Sequence, residues 1–161
     1  SRATYHANSV LLALGRRGTP RKLGVPGEEQ AKVVYRLVDA AQYAGRSVLV
    51  VGGGDSALEA ALALAAEAGT AVTLSYRGEA FARVKQKNRE AFESEVAQQR
   101  IRCLLGSKVQ RIDETSVTLL RADGQAETLA NEHVIVCAGG ELPTPLLKSI
   151  GIRFETKFGQ V

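Results

Sequence analysis

The stretch Val48-Leu49-Val50-Val51-Gly52-Gly53-Gly54-Asp55-Ser56-Ala57-Leu58-Glu59 decides how this chain folds. Four apolar residues run directly into three glycines, and an alanine-rich segment follows with no helix breaker until Gly69. That order is strand, tight turn, helix, which is the context a dinucleotide-binding fingerprint requires. Glycine triplets also end strands for purely structural reasons. The strand before this triplet and the helix after it favour the nucleotide reading.

Each residue of the turn has a physical task. Gly52 permits the sharp turn, and Gly54 lets the backbone approach a pyrophosphate, with Gly53 between them. Ala57 takes the place of a third glycine and is still small enough for helix–strand packing. The amides near Ser56 and Ala57 then face the phosphates at the positive end of the helix. A carboxylate beside a pyrophosphate is repulsive, so Asp55 is expected to turn away and cap the helix or hold a neighbouring loop.

The end of the next strand selects the nucleotide. An acid there binds the ribose hydroxyls of NAD, whereas an arginine accommodates the 2′-phosphate of NADP. This strand, Ala71–Ser75, ends in Tyr76-Arg77-Gly78, and no acid appears before Glu79. Arg77 offers a planar guanidinium fork to a phosphate, with Arg83 or Lys85 as second donor. Tyr76 is placed to pack on the adenine or ribose. The alternative is that these charges merely solvate a loop and a helix start. The ligand role is favoured for Arg77, and solvent for Lys87 and Arg89.

Outward from this centre, residues 8–14 form a short buried-strand pattern stopped by Gly15. Arg16 to Glu29, with two prolines and three glycines, read as a connector. Its basic residues either solvate a turn or face a phosphate. Val33, Val34, Leu37, Val38 and Ala41 share one face of an amphipathic helix over 31–44. The fingerprint helix continues to about Ala68, with Gly69 as its C-cap. A helix rich in Glu and Gln covers about 88–99. Strands are expected at Ile101–Leu105, Lys108–Ile112, Ser116–Arg121 and Ala126–Leu129, with Asp123-Gly124 turning the last pair. His133–Ala138 is a further apolar strand closed by Gly139-Gly140. The pattern predicts an α/β domain with a parallel sheet, flanking helices and an inserted antiparallel β-meander. Val10–Gly15 followed by Thr19-Pro20 echoes Val134–Gly139 followed by Thr144-Pro145, as two crossings between neighbouring domains would, or by chance.

Composition narrows the function classes. At 161 residues the chain is long enough to bury roughly 70% of its unfolded surface in one domain. A net charge of +4 is too mild and scattered to argue for nucleic acid, and aromatics at 5% give few stacking platforms. No apolar run approaches the ~20 residues of a membrane span. Cys103 and Cys137 form no Cys-x-x-Cys pair and have no metal-ligand spacing, and they read as buried free thiols of a reducing cytoplasm. Neither His6 nor His133 sits in a catalytic pattern, so the catalytic and metal-ligand sets are empty. The absence of methionine, including an initiating one, points to an excised or incomplete chain.

In combination, Val48–Ala61, the Ser75-Tyr76-Arg77…Phe81 loop and the two strand-Gly-Pro crossings resemble the thioredoxin-reductase-like branch of the two-dinucleotide-binding-domain flavoproteins. The outgoing crossing is Val10–Gly15…Val25-Pro26-Gly27-Glu28, and the return is Val134–Gly140 with Pro143. The resemblance covers nearly the whole chain and implies a Rossmann-like FAD/NAD(P)-binding fold, with an NADPH domain inserted into an FAD domain. On that frame residues 1–30 belong to a partial strand and connector of the flanking FAD domain, 31–140 to the NAD(P)-binding domain, and 141–161 to the return connector. The implied cofactor-binding set is Gly52, Gly53, Gly54, Asp55, Ser56, Ala57, Glu59, Tyr76, Arg77, Arg83, Lys85 and Gly139. Glu59 matches an acid near the nicotinamide carboxamide in related disulfide reductases, or is an ordinary helix-surface glutamate. Tyr76-Arg77 matches a His-Arg-Arg loop with one arginine kept, Gly78 standing where the second would be.

The chain departs from thioredoxin reductases before the fingerprint strand, where Val38–Gly45 holds no redox cysteine pair. A dithiol mechanism is therefore not expected, and the resemblance runs closer to bacillithiol-disulfide-reductase-like proteins or thioredoxin-reductase-type ferredoxin–NADP reductases. The glycine motif that holds FAD is absent ahead of residue 1, and so is the acidic flavin motif after Val161. The chain is accordingly expected to bind NADPH without retaining FAD. The implied activity is hydride transfer from NADPH to flavin, for an electron acceptor outside these residues. The rival readings are a stand-alone nicotinamide-nucleotide-binding regulatory module and an inert scaffold domain, and a homodimer is left open.

Overall fold

The computed structural model describes residues 3–11, 19–82, 84–141 and 144–153. Within them the chain runs β1 (Thr19–Pro20), β2 (Val33–Val34), a 3-10 turn (Ala40–Tyr43), β3 (Ser47–Val51), α1 (Asp55–Ala65), β4 (Ala71–Tyr76) and α2 (Gln86–Ala97). It continues with β5 (Ile101–Leu105), β6 (Lys108–Ile112), β7 (Ser116–Leu120), β8 (Ala126–Ala130), β9 (His133–Val136), β10 (Gly140–Glu141) and α3 (Thr144–Ser149). Two compact units result, one of residues 20–139 and one of the segments before and after it. β1 and β10 pair as a two-stranded sheet.

The larger unit is built on a parallel sheet of order β2-β9-β3-β4-β5. Its central strands β3 and β9 are near-continuous apolar runs because both faces are covered, whereas the edge strand β5 exposes Arg102. Successive side chains point to opposite faces, so Val48 and Val50 join Val72, Leu74, Ile101 and Ile135 beneath α1 and α2. Leu49 faces the other way, with Leu104, Val134 and Val136. On α1, Ala57, Leu58, Ala60, Ala61 and Leu64 are buried, and the three alanines let the helix backbone settle close to the sheet. The opposite face is covered by the antiparallel sheet β6-β7-β8, whose Val109, Ile112, Val117 and Leu119 close the second core. This is the expected architecture: a Rossmann-like parallel sheet with helices on one face and a β-meander on the other. The Asp123-Gly124 signal turns β7 into β8, with Gln125 N–H donating to Asp123 Oδ1 at 2.9 Å.

Residues 20–30 pack within the larger unit. Leu23 and Val25 lie against the meander-side core, and Ile112 N–H donates to the Pro26 carbonyl at 2.9 Å. Glu28 is buried and organises this loop by accepting from Leu23 N (2.6 Å), Gly24 N (2.7 Å) and the Tyr35 hydroxyl (2.8 Å). Burial pushes its carboxyl up, but these donors outweigh burial and hold it below the usual glutamate range. The ends of the unit meet where Arg21 N–H donates to the Gly139 carbonyl at 3.0 Å.

Several local expectations are corrected. Residues 31–44 do not form a helix: Val33 and Val34 pair in parallel with Val134 and Ile135, and Asp39 caps the 3-10 turn by accepting from Ala41 N. Val38, expected on the buried face, is 81% exposed. Residues 8–11 form no strand; Val10 and Leu11 are 77% and 91% exposed, and no described residue pairs with them. The rest of that expected strand, residues 12–14, lies outside the described residues, as do Arg83 and Pro143. α1 ends at Ala65 with Ala66 as C-cap, three residues before Gly69. Thr144 opens the short helix α3 in place of the expected proline-bearing loop, consistent with the tolerance of the first helical turn for proline. Cys103 and Cys137 are free and half-buried, and burial raises both thiols, Cys137 to about 11.

Candidate functional site

Strand order reverses between β3 and β9: β4 and β5 extend the sheet to one side of β3, β9 and β2 to the other. Parallel sheets place ligand crevices outside the carboxyl ends of strands at such a switch point. Here that position is occupied by the glycine turn after β3 and by Cys137–Gly139 after β9. The two are closely apposed, since Cys137 N–H donates to the Val51 carbonyl at 2.7 Å. Gly52 has φ +151°, and a Cβ there would stand 2.4 Å from the Cys137 carbonyl oxygen, so no other residue fits. Gly139 is exposed, with φ +86°.

Gly54 is the N-cap of α1, extended and without a side-chain cap. A Cβ on it would meet nothing within 4 Å, so its backbone faces open space. The Gly54 carbonyl accepts from Ala57 N (2.9 Å) and Leu58 N (3.2 Å). The amides of Asp55 and Ser56, in the first turn, have no intrahelical acceptor. Ser56 is exposed, and Ala57 is fully buried against the sheet. The turn is therefore an open cradle of helix-terminal N–H groups, the chemistry that an oxyanion such as a pyrophosphate needs.

Asp55 turns away from that cradle. Its Oδ1 accepts from Lys85 N at 2.9 Å and from Asn88 Nδ2 at 2.8 Å, and these bonds, the Lys85 amide first, hold its carboxyl below the usual range. Lys85 is the N-cap of α2 and has no side-chain cap hydrogen bond; its own backbone N–H is taken up by Asp55 of α1. Asn88 Nδ2 also donates to Glu59 Oε1 at 2.9 Å, bridging two carboxylates one helical turn apart on α1. Glu59 is exposed.

The loop after β4 is held from below. Tyr76 stacks on Phe81 with ring centroids 5.6 Å apart, and Phe81 meets Phe92 of α2 edge-on at 5.4 Å. Arg89 departs from its expected place in solvent: it is half-buried, and its guanidinium donates to the Phe81 carbonyl. Lys87 is exposed, as expected. Arg77 and Lys85 are exposed, and neither forms an ion pair with a described residue. Thus Gly52, Gly53, Gly54, Ser56, Ala57 and Tyr76 gather round the turn after β3. Arg77 lies at the end of β4, and Asp55, Glu59 and Lys85 meet at the α1–α2 contact. Asn88, Arg89 and Phe81 complete the arrangement and stand outside the set read from sequence. For Asn88 and Arg89 the sequence carries no local signal, while Phe81 enters there only as the end of the loop that carries the resemblance.

Comparison with known proteins agrees with this architecture. Residues 1–160 match the pyridine nucleotide-disulphide oxidoreductase family. Over 161 residues the chain is 30% identical to the bacilliredoxin reductase Bdr of Bacillus subtilis, covering 99% of this chain and 49% of that protein. Over 159 residues it is 30% identical to a ferredoxin–NADP reductase of Ignicoccus hospitalis, covering 95% and 50%. The chain thus spans about half the length of these curated relatives. Among solved structures, the bacillithiol disulfide reductase Bdr of Staphylococcus aureus superposes with a TM-score of 0.79 at 31% identity, over 85% of this chain and 42% of that one. The thioredoxin reductase of Lactococcus lactis gives 0.70 at 26%, over 81% and 45%. By sequence and fold, the chain belongs to the pyridine nucleotide-disulphide oxidoreductase family, on its thioredoxin-reductase-like side.

Proposed function

We propose that the unit of residues 20–139 is the nicotinamide-nucleotide-binding domain of an FAD-dependent oxidoreductase, and that NADPH is its preferred nucleotide. The observation that carries the reading is the open N-terminus of α1 at the β3/β9 switch point, with Arg77 and no carboxylate at the end of β4. When bound, NADPH would supply a hydride to reduce the flavin of a flanking domain, from which electrons would go to a further acceptor.

The chain's own residues bind and orient. Gly52 brings the turn against the end of β9, and Gly54 leaves the approach to the helix terminus clear. The Asp55 and Ser56 amides donate to the pyrophosphate, and the adjoining helix dipole favours its charge. Asp55 removes its own charge from the cradle by accepting from the Lys85 amide and from Asn88. Arg77 donates to the 2′-phosphate as an exposed guanidinium, with Lys85 as an additional positive charge nearby in sequence. Glu59, held by Asn88, is assigned to accept from the carboxamide of the nucleotide. The names of the relatives, a ferredoxin–NADP reductase among them, support the choice of nucleotide.

The test is a calorimetric titration of the chain with NADPH and NADH side by side, repeated on Arg77→Ala. Losing a charge-assisted phosphate contact is worth about 1.5–3 kcal/mol, or roughly 10- to 150-fold in affinity. R77A should lose that factor for NADPH and under about threefold for NADH. Equal losses for the two nucleotides would remove the phosphate role of Arg77.

A further inference from the structure

Tyr76 closes β4, and its ring occupies a slot left by two missing side chains. A Cβ on Gly53 would stand 2.3 Å from Tyr76 Cδ2 and Cε2 and 2.4 Å from Cζ. A Cβ on Gly78 would stand 2.7 Å from Cε1, 2.8 Å from Cζ and 3.0 Å from the phenol oxygen. Neither glycine has a left-handed φ, so an ordinary residue is opposed at both positions by the ring and not by the backbone.

The ring has little freedom to give way. Phe81 is stacked on it nearly parallel, at an interplanar angle of 8°, and is itself buried and held by Phe92. The backbone on either side is pinned by Ser107 N–H on the Tyr76 carbonyl and Gly106 N–H on the Gly78 carbonyl, each at 3.0 Å. The Phe81 end of the loop is fastened to α2 through Arg89. A side chain at 78 must therefore displace an aromatic ring that the core supports, which overpacked sites resist.

We propose that Tyr76 confines this site to a single guanidinium for the 2′-phosphate of a nicotinamide nucleotide, because its ring takes the space in which a side chain at 78 would begin. The inference rests on the proposed nucleotide site and adds its selectivity rule. With Tyr76 in place, Arg77 is the one guanidinium the 76–78 turn presents, and selection rests on a single exposed charge. A second guanidinium at 78 gains the phosphate only when the ring is gone.

The experiment compares the wild-type chain with Y76V, G78R and Y76V/G78R by titration with NADPH and NADH. Thermal midpoints are taken for these and for G78A and Y76V/G78A; Y76L replaces Y76V should that variant fail to fold. With Tyr76 present, G78R should leave the NADPH-to-NADH affinity ratio within about twofold of wild type. In the Y76V background, the same substitution should raise the ratio about tenfold, the effect of one added charge-assisted contact. G78A should lower the midpoint by about 2–10 °C beside Tyr76 and by less than about 1 °C in the Y76V background. The proposal is overturned if G78R raises the ratio as far with Tyr76 as without it, or if G78A costs the same in both backgrounds. A wild-type chain that binds neither nucleotide overturns the proposed site and the selectivity role with it. The midpoint cycle still reports whether the ring and residue 78 exclude each other, so the two failures are told apart.

Discussion

Replacing Phe92 by alanine tests how the candidate site is held together. Phe92 is the one residue of α2 that is buried, at 1% exposure. It lies in the helix-side core with Val48, Leu58, Leu64 and Leu74 and supports Phe81 edge-on. Phe→Ala at such a position costs about 3–5 kcal/mol, from lost burial plus the cavity left behind. The polar bonds of α2 to its surroundings, Asn88 to Asp55 and Glu59 and Arg89 to Phe81, are partly solvated and cannot make up that loss. For a domain of this size each kcal/mol moves the thermal midpoint by about 2–4 °C, so F92A should fall by roughly 6–20 °C. Phe92→Leu keeps most of the volume and should lose well under half as much. Urea unfolding monitored by circular dichroism measures both. Amide exchange across residues 76–88 should accelerate in F92A at temperatures where the chain is still folded. A loss below about 1 kcal/mol, or unchanged exchange in that segment, would refute Phe92 as the anchor of the loop.

Two further predictions concern parts of the fold remote from the turn. α2 ends in a Schellman arrangement, with Gln99 N–H on the Val96 carbonyl and Arg100 N–H on the Glu95 carbonyl, and Gln99 sits at φ +60° where glycine is usual. A left-handed non-glycine residue costs about 1–2 kcal/mol, and glycine returns about 0.5–1 of that as chain entropy. Gln99→Gly should therefore stabilise by roughly 0.5–1 kcal/mol in denaturant titration, and no gain would show the strain to be absent. Glu28 has a folded pKa depressed below its ordinary 4.5, so it adds stability above that pH and loses it as pH falls further. Glu28→Gln should be the less stable protein at pH 7, and its deficit should shrink as pH drops below about 4.5. The share carried by Glu132, held at about 2 by the Ser47 amide and Arg46, would remain in both proteins. A deficit that stays constant down to about pH 3 would mean that the Glu28 charge does not hold the loop.

What could be read from the sequence divides along a physical line. The parallel core was legible because a strand buried on both faces must be a near-continuous apolar run, as at 48–51 and 134–136. The meander was legible because Asp123-Gly124 specifies its own turn. Residues 31–44 were not, because Val33 and Val34 become a strand only by pairing with Val134 and Ile135, far along the chain. Apolar residues spaced three and four apart describe a helix equally well until that partner is known. Val38, exposed in spite of its place in that pattern, shows that the period alone was insufficient.

The same line runs through the candidate site. Gly52 is required by its φ of +151° and Gly54 leaves the helix terminus clear, and a glycine run between a strand and a helix displays both in the sequence. Asn88 and Arg89 act at the contact of α2 with α1 and with the 77–81 loop, and nothing near them in sequence states where α2 docks. One buried aromatic on a largely polar helix fixes that docking. The turn that would meet the phosphate and the core that would not are therefore coupled through Tyr76, Phe81 and Phe92. A substitution beneath α2 should loosen the 76–81 loop without touching the glycine turn, which amide exchange across residues 76–88 would report.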